Sequence, residues 1–240
     1  MTAPLLIAAD RCAPGALEAL AQLREPGHVV SRYRSAIDIE TAPGRLLAVQ
    51  APGTPLSPFS LALAHGVVVA WPEPGAPARV RGSRLDIGPL SIDLRFARPA
   101  PAIEIPSPAA DWDPSSVVRR LQPLGRYGAF GPIWKERGKH VPGISAAWAI
   151  QSLMAATRAA DASADLSGPA FRLMGRGPGA TPSGDDLLVG FVASWLAFRP
   201  DATAHVLARL LAREAPARTT RLAAEFYHHL ALGRLTDRLA

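Results

Sequence analysis

The chain has 240 residues, 48% of them hydrophobic and 19% charged, which is long and apolar enough to bury a core and excludes a disordered chain. Its single cysteine, Cys12, excludes an internal disulfide and a thiolate metal cluster, and fits a reducing cytoplasm. The net charge of +6 rests on scattered arginines, with lysine only at Lys135 and Lys139; the densest cluster, Arg79, Arg81 and Arg84, lacks interleaved aromatics. This pattern argues for an anionic small molecule as partner and against nucleic acid.

The opening, MTAPLLIAADRCAPGALEAL, has no basic segment before its short apolar run, so no secretory leader is read and a cytoplasmic location is expected. Leu17, Leu20 and Leu23 recur at helical spacing and predict a helix over about 14–24. Strand-like runs follow at 28–40, 45–50, 66–71, 78–88 and 91–98, separated by the breakers APG, TPLSP, PEPGAP and GPL. In the first of them Val29, Ser31, Tyr33, Ser35 and Ile37 alternate with Val30, Arg32, Arg34 and Ala36, the period of a half-buried strand. Short strands at close intervals predict a small barrel or sandwich over residues 1–107.

From residue 108 the signals turn helical. Ser115 or Ser116 can cap a helix over VVRRLQPL, and 125–143 reads as a long glycine-rich loop. Lys135, Arg137, Lys139 and His140 in that loop are either an anion-binding lid or an ordinary solvated segment. Ser145 caps AAWAIQSLMAATRAA, and further helices are expected at about 184–198, 202–213 and 218–238. Leu187 to Phe198 is the most apolar stretch, but at twelve residues it is a core helix, since a membrane span needs about 20. The expectation is an α+β protein, with a β-rich barrel or sandwich followed by a mainly helical region, 108–240, that carries a glycine-rich loop.

That loop is GRGPGATPSGDD, residues 175–186. Gly175, Gly177, Gly179 and Gly184 permit positive φ and a close approach of backbone to a ligand, while Pro178 and Pro182 stiffen the path. Ser183 stands at the expected N-cap with Asp186 at capping-box spacing, ahead of an apolar helix. A glycine-rich loop entering a helix N-terminus suits phosphate or carboxylate. No lysine follows, so the phosphate loop of nucleotide hydrolases is excluded. Asp185 and Asp186 lie about 100° apart on one turn, so one can cap while the other orients a substrate amide or holds a divalent cation. Thr181 and Ser183 add hydroxyls. The structural alternative is that the same residues do no more than cap the helix and make a tight turn.

The run GRGPGATPSGDDLLVG, 175–190, resembles the G-x-G-P-G-x-T-P-S-G-D-D-x-L-x-G signature of the family that includes the third, small subunit of bacterial oxamate carbamoyltransferase of anaerobic allantoin degradation. Weaker similarity extends through VVSRYRSAIDIE, PFSLAL (58–63) and RTTRLAAEF…ALGRL (218–235). The resemblance implies carbamoyl transfer between oxalurate and phosphate, giving oxamate and carbamoyl phosphate. It also implies companion subunits, one of them similar to acyl-CoA synthetases. It carries no assigned catalytic residues; Asp185 and Asp186 are the candidates for chemistry, with Gly175, Gly177, Gly179, Thr181, Ser183, Gly184 and Arg221 for substrate binding.

Outside the motif, adjacent His228 and His229 would point apart on a helix, so a metal would need His228 with Glu225, and a surface pair is the simpler reading. Arg218 and Arg221 flank Thr219–Thr220 at a helix start, where Arg221 could reach a carboxylate. Trp71, Trp112, Trp134, Trp148 and Trp195 read as packing residues. Two functions follow: a carbamoyl-transfer enzyme or subunit acting on an anionic ureido substrate, or a non-catalytic scaffolding subunit of a larger transferase. No cofactor beyond that divalent cation is indicated.

Overall fold

The structure, a computed structural model, describes residues 5–23, 25–65, 69–101, 144–159, 166–198 and 201–235. The expected helix over VVRRLQPL, the 125–143 loop, Trp112 and Trp134 lie outside them. Two compact units divide the chain, one formed by Met1–Glu104 with Leu232–Ala240 and the other by Ile105–Ala231.

The first unit is a barrel. Its strands are β1 (Leu5–Cys12), β2 (Gly27–Arg32), β3 (Ala36–Ala42), β4 (Arg45–Gln50), β5 (Ser60–Leu63), β6 (Pro77–Arg81), β7 (Arg84–Ile87), β8 (Leu90–Asp93) and β9 (Arg98–Pro99), with helix α1 (Pro14–Gln22) after β1. The order β5-β4-β3-β2-β6-β7-β8-β1 closes through a further β1–β5 pairing, so eight strands form a ring and β9 adds to β1. Closure falls to β1, which pairs parallel with β8 over Leu5–Ala8 and antiparallel with β5 over Ala9–Cys12, with a register shift between Ala9 and Arg11. A bulge of this kind bends a strand toward a second neighbour. Alternation sends Ile37, Ile39, Leu47, Val49, Leu61, Leu85 and Ile92 inward, all under 1% exposed.

Four expected strands differ. The 91–98 run is broken, with β8 ending at Asp93 and β9 beginning at Arg98. The 28–40 run is a hairpin, not one strand: Tyr33, Arg34 and Ser35 are exposed between β2 and β3, and the Tyr33 N–H donates to the Ala36 carbonyl at 2.8 Å. Arg32 to Ser35 has no apolar face to bury, so the chain turns there. The 78–88 run also folds back, at Gly82 (φ +57°) and Ser83, to pair Arg81 with Arg84. In 66–71, the described residues 69–71 form no strand; Val69 and Trp71 instead pack partly buried against the barrel core.

The second unit is helical: α2 (Ile144–Ala159), α3 (Ser167–Leu173), α4 (Ser183–Phe198), α5 (Ala202–Arg218) and α6 (Arg221–Ala231). Helix α3 lies outside the helices expected from the sequence; its Pro169 stands in the first turn, where proline forfeits no helical bond. Helix α5 passes the expected end at 213 and carries Pro216 in its last turn. Asp201 caps α5 by accepting from the Ala204 N–H at 2.9 Å, and its other oxygen accepts from the Trp195 indole at 3.2 Å. Helix α6 stops at Ala231, short of the expected 238, with Gly233 at φ +73° just beyond it. Trp195 is buried, whereas Trp148 is 49% exposed under the Arg172 guanidinium. Among the described residues no helix is long and apolar enough to cross a membrane.

Candidate functional site

Leu188, Val192, Trp195 and Leu196 bury one side of α4 and fix its start against α3, α5 and α6. Three glycines of the motif answer to that packing. A Cβ on Gly184 would lie 1.9 Å from the Leu173 carbonyl oxygen, one on Gly175 would lie 2.5 Å from that of Arg218, and one on Gly177 would lie 2.9 Å from the Ser183 nitrogen. Gly179 differs: it holds φ +100° with open space where a side chain would stand. It is the exposed tip.

The paired aspartates have separate environments. Asp185 is 1% exposed, and both of its oxygens accept the Gly175 N–H at 3.1 Å. Its Oδ2 also accepts the Thr219 hydroxyl at 2.6 Å and its Oδ1 the Tyr227 hydroxyl at 2.9 Å. One buried carboxylate thus ties the start of the loop to the α5–α6 junction and to the middle of α6. Burial, then the Asp185 charge, push the Tyr227 phenol far upward, so it stays a donor. The Thr220 hydroxyl donates to the Ala180 carbonyl and accepts the Ala223 N–H, which stitches the loop to the first turn of α6.

Asp186 is exposed on the same turn. Partial desolvation holds its carboxyl above the usual carboxylate range; the Thr181 hydroxyl bond opposes that shift and the Asp185 charge adds to it.

Capping is not as expected. The Asp185 and Asp186 N–H groups donate to the Pro182 carbonyl at 2.9 and 3.1 Å, so the helix begins at Ser183 and its hydroxyl does not cap. The Gly184 N–H donates to the Arg176 carbonyl at 2.8 Å. The helix-start donors that were expected to cradle an anion are therefore satisfied internally. The N–H groups of Gly177, Gly179, Ala180 and Thr181 make no backbone hydrogen bond among the described residues, and the Ser183 hydroxyl has no partner among them. Open donors lie along the loop rather than on the helix.

Arg221 opens α6, exposed and one residue past Thr220, so it shares the end of the helix that is bonded to the loop. Arg218 stacks 4.2 Å from the Phe171 ring and pairs with Glu214, which makes it a packing residue. The histidine pairing also needs correction. Glu225 meets His229, four residues on along the same helix face, with Nε2 and Oε1 3.2 Å apart and both residues buried. Among the described residues no group of three or more His, Cys, Asp or Glu could hold a metal ion. Thr219 and Tyr227 were the partners sequence reasoning missed; a buried aspartate three residues into a helix requires donors from elsewhere, but nothing local says which.

A closed eight-stranded barrel followed by a helical part, whose polar loop is held in shape by a buried carboxylate, defines an α+β protein. The family described as oxamate carbamoyltransferase subunit AllH matches residues 173–240, and the AllH family N-terminal domain matches residues 7–99. The chain belongs to this family, and its role is that of a subunit in carbamoyl transfer. No curated protein and no solved structure matches it.

Proposed function

We propose that residues 176–186 bind the anionic ureido substrate and phosphate of carbamoyl transfer, and that Asp186 is the group acting on the substrate. The observation that carries this reading is the division of labour within one helical turn: Asp185 is consumed by four hydrogen-bond contacts, while Asp186 stands exposed with a raised carboxyl, on the same turn as a Ser183 hydroxyl that has no partner among the described residues. The loop N–H groups from Gly177 to Thr181 would hold a phosphate or carboxylate oxygen, and Arg221 would pair with the substrate's carboxylate. In the oxalurate-to-oxamate direction, a phosphate oxygen attacks the ureido carbonyl carbon and the carbon–nitrogen bond breaks. The proton that phosphate gives up passes to the departing amide nitrogen, with Asp186 as the relay. A carboxyl held above its usual range suits that exchange. A divalent cation on Asp186 bridging to phosphate is the other use of the same group.

A second reading has its own support. Gly175, Gly177, Gly184 and Asp185 are each accounted for by close packing or internal hydrogen bonds, as expected of a motif that shapes a non-catalytic scaffolding subunit.

Calorimetry with phosphate, oxamate and carbamoyl phosphate, with and without magnesium, tests the proposal. Binding that disappears in Asp186→Asn or Ser183→Ala supports it, and magnesium dependence selects the cation role. Binding unchanged in both variants sinks it and leaves the scaffolding reading.

A further inference from the structure

The barrel wall has two unlike outer faces. On β3–β5, outward Asp38, Leu46, Ala48 and Ser60 are each 4% exposed or less, so that arc is already covered within the chain. On the arc formed by β6, β7, β8 and β1, outward Arg79, Arg81, Arg84 and Leu6 are exposed, whereas Ser91 and Asp93 on β8 between them are buried. Register places two outward rows across it: Arg79–Asp86–Ser91–Leu6 and Arg81–Arg84–Asp93–Ala8. The rows between them, such as Val80–Leu85–Ile92–Ile7, fill the interior.

Charge on this arc is unbalanced. Asp93 is taken by Arg95, and Asp86 accepts the Ser91 hydroxyl at 2.7 Å and has Arg81 only at 3.8 Å. Arg79 makes no ion pair with the described residues. Arg81 stands directly opposite Arg84 across a two-residue turn, an arrangement that costs stability in an isolated hairpin. Arg79, Arg81 and Asp86 line a groove of about 490 Å3 together with Gly88, Pro89 and Leu90. Beside this positive surface lie two exposed apolar side chains, Leu6 at 51% and Phe96 at 64%, with the Arg95 guanidinium 5.5 Å from the Phe96 ring. Arginine and aromatic anchors around a groove are the composition of a protein interface. A closed barrel offers no free strand edge in this arc, so a partner must dock on side chains.

We infer that the outer face of β6–β7–β8–β1 docks an acidic segment of a companion transferase subunit, with carboxylates entering the Arg79–Arg81 groove and an apolar residue meeting Phe96. This rests on membership of a subunit family and not on the loop at 176–186, so either can fail alone. Binding of this kind should weaken with salt, because the charges lie in an open groove.

The test co-expresses the full chain with its companion subunits and measures affinity by interferometry at low and high salt. Arg79→Glu/Arg81→Glu should weaken association at least tenfold and flatten its salt dependence, and Phe96→Ser should weaken it with the salt dependence kept. Arg209→Glu/Arg213→Glu on exposed positions of α5 changes the net charge equally and should leave affinity within twofold. Thermal melts matched to the parent show that the variants fold. Unchanged affinity in the Arg79/Arg81 variant, equal loss in the α5 control, or no association of the parent chain overturns the inference. So does a single-stranded RNA oligomer that binds the parent and is lost with Arg79 and Arg81 while subunit affinity holds.

Discussion

Replacing Asp185 should unfasten the loop before it affects any chemistry. The carboxylate serves three donors: the Gly175 N–H, the Thr219 hydroxyl and the Tyr227 hydroxyl. Hydrogen bonds to a charged acceptor contribute about 1.5–3 kcal/mol each, against about 0.5–1.5 for neutral ones. Asp185→Asn keeps one oxygen, for Gly175 and one hydroxyl, and turns an amide N–H2 toward the other hydroxyl, which can rotate to accept. Charge assistance is then lost at all three, so destabilisation of about 2–3 kcal/mol is expected. Asp185→Ala leaves three donors at a site 1% exposed and should cost about 3–5 kcal/mol. Tyr227→Phe removes one donor and should cost about 1.5–3 kcal/mol, and it should be subadditive with Asp185→Asn because the two share a bond. Urea denaturation followed by circular dichroism of the helices reads all of these. Asp186→Asn is the internal contrast: exposed and free of that network, it should change stability by no more than about 0.5 kcal/mol. If Asp185→Asn is as stable as the parent while Asp186→Asn unfolds the helices, the assignment of latch and working carboxylate is reversed.

Other outcomes follow from single sites. Burial pushes the Asp38 carboxyl from 3.8 up to about 6, against a stabilising bond from Tyr33. The native state then holds a proton that the unfolded chain has released, so this group lowers stability as pH rises from about 4 to 6, by about 3 kcal/mol in all. Asp38→Asn should therefore raise the melting temperature at pH 7 and give no gain near pH 4, and a gain equal at both would refute this. Gly184→Ala places a Cβ 1.9 Å from the Leu173 carbonyl and should displace α4 from α3, with a loss above about 3 kcal/mol. Gly179→Ala meets no atom and should cost only backbone strain, about 1–2 kcal/mol; comparable losses in the two melts would contradict the packing account. Cys12 is 1% exposed, with a thiol pushed up to about 12 by burial, so a thiol reagent should label it only on unfolding.

Much of the fold was legible because its signals are local. Arg45 to Gln50 is a short apolar run between polar ends and is a strand in the structure, and the apolar run after Asp186 is the buried helix it was read to be. What escaped depends on partners distant in the chain. LLIAADRC carries no clean alternation because β1 changes neighbours midway, from Ile92 beside Ile7 to Leu63 beside Ala9. The loop is the sharper case. The four glycines are visible as a group, but three are there to admit the Leu173 carbonyl, the Arg218 carbonyl and Ser183, and only Gly179 faces open space. Adjacent aspartates on a helix must point about 100° apart, and that much follows from the sequence. Which one turns inward is decided by Thr219 and Tyr227, 34 and 42 residues downstream of Asp185. A side chain can be buried as an ion only where such donors wait for it. The same packing that consumes Asp185 leaves Asp186 outside, and the proposed substrate chemistry rests on that exposed carboxyl and the loop N–H groups.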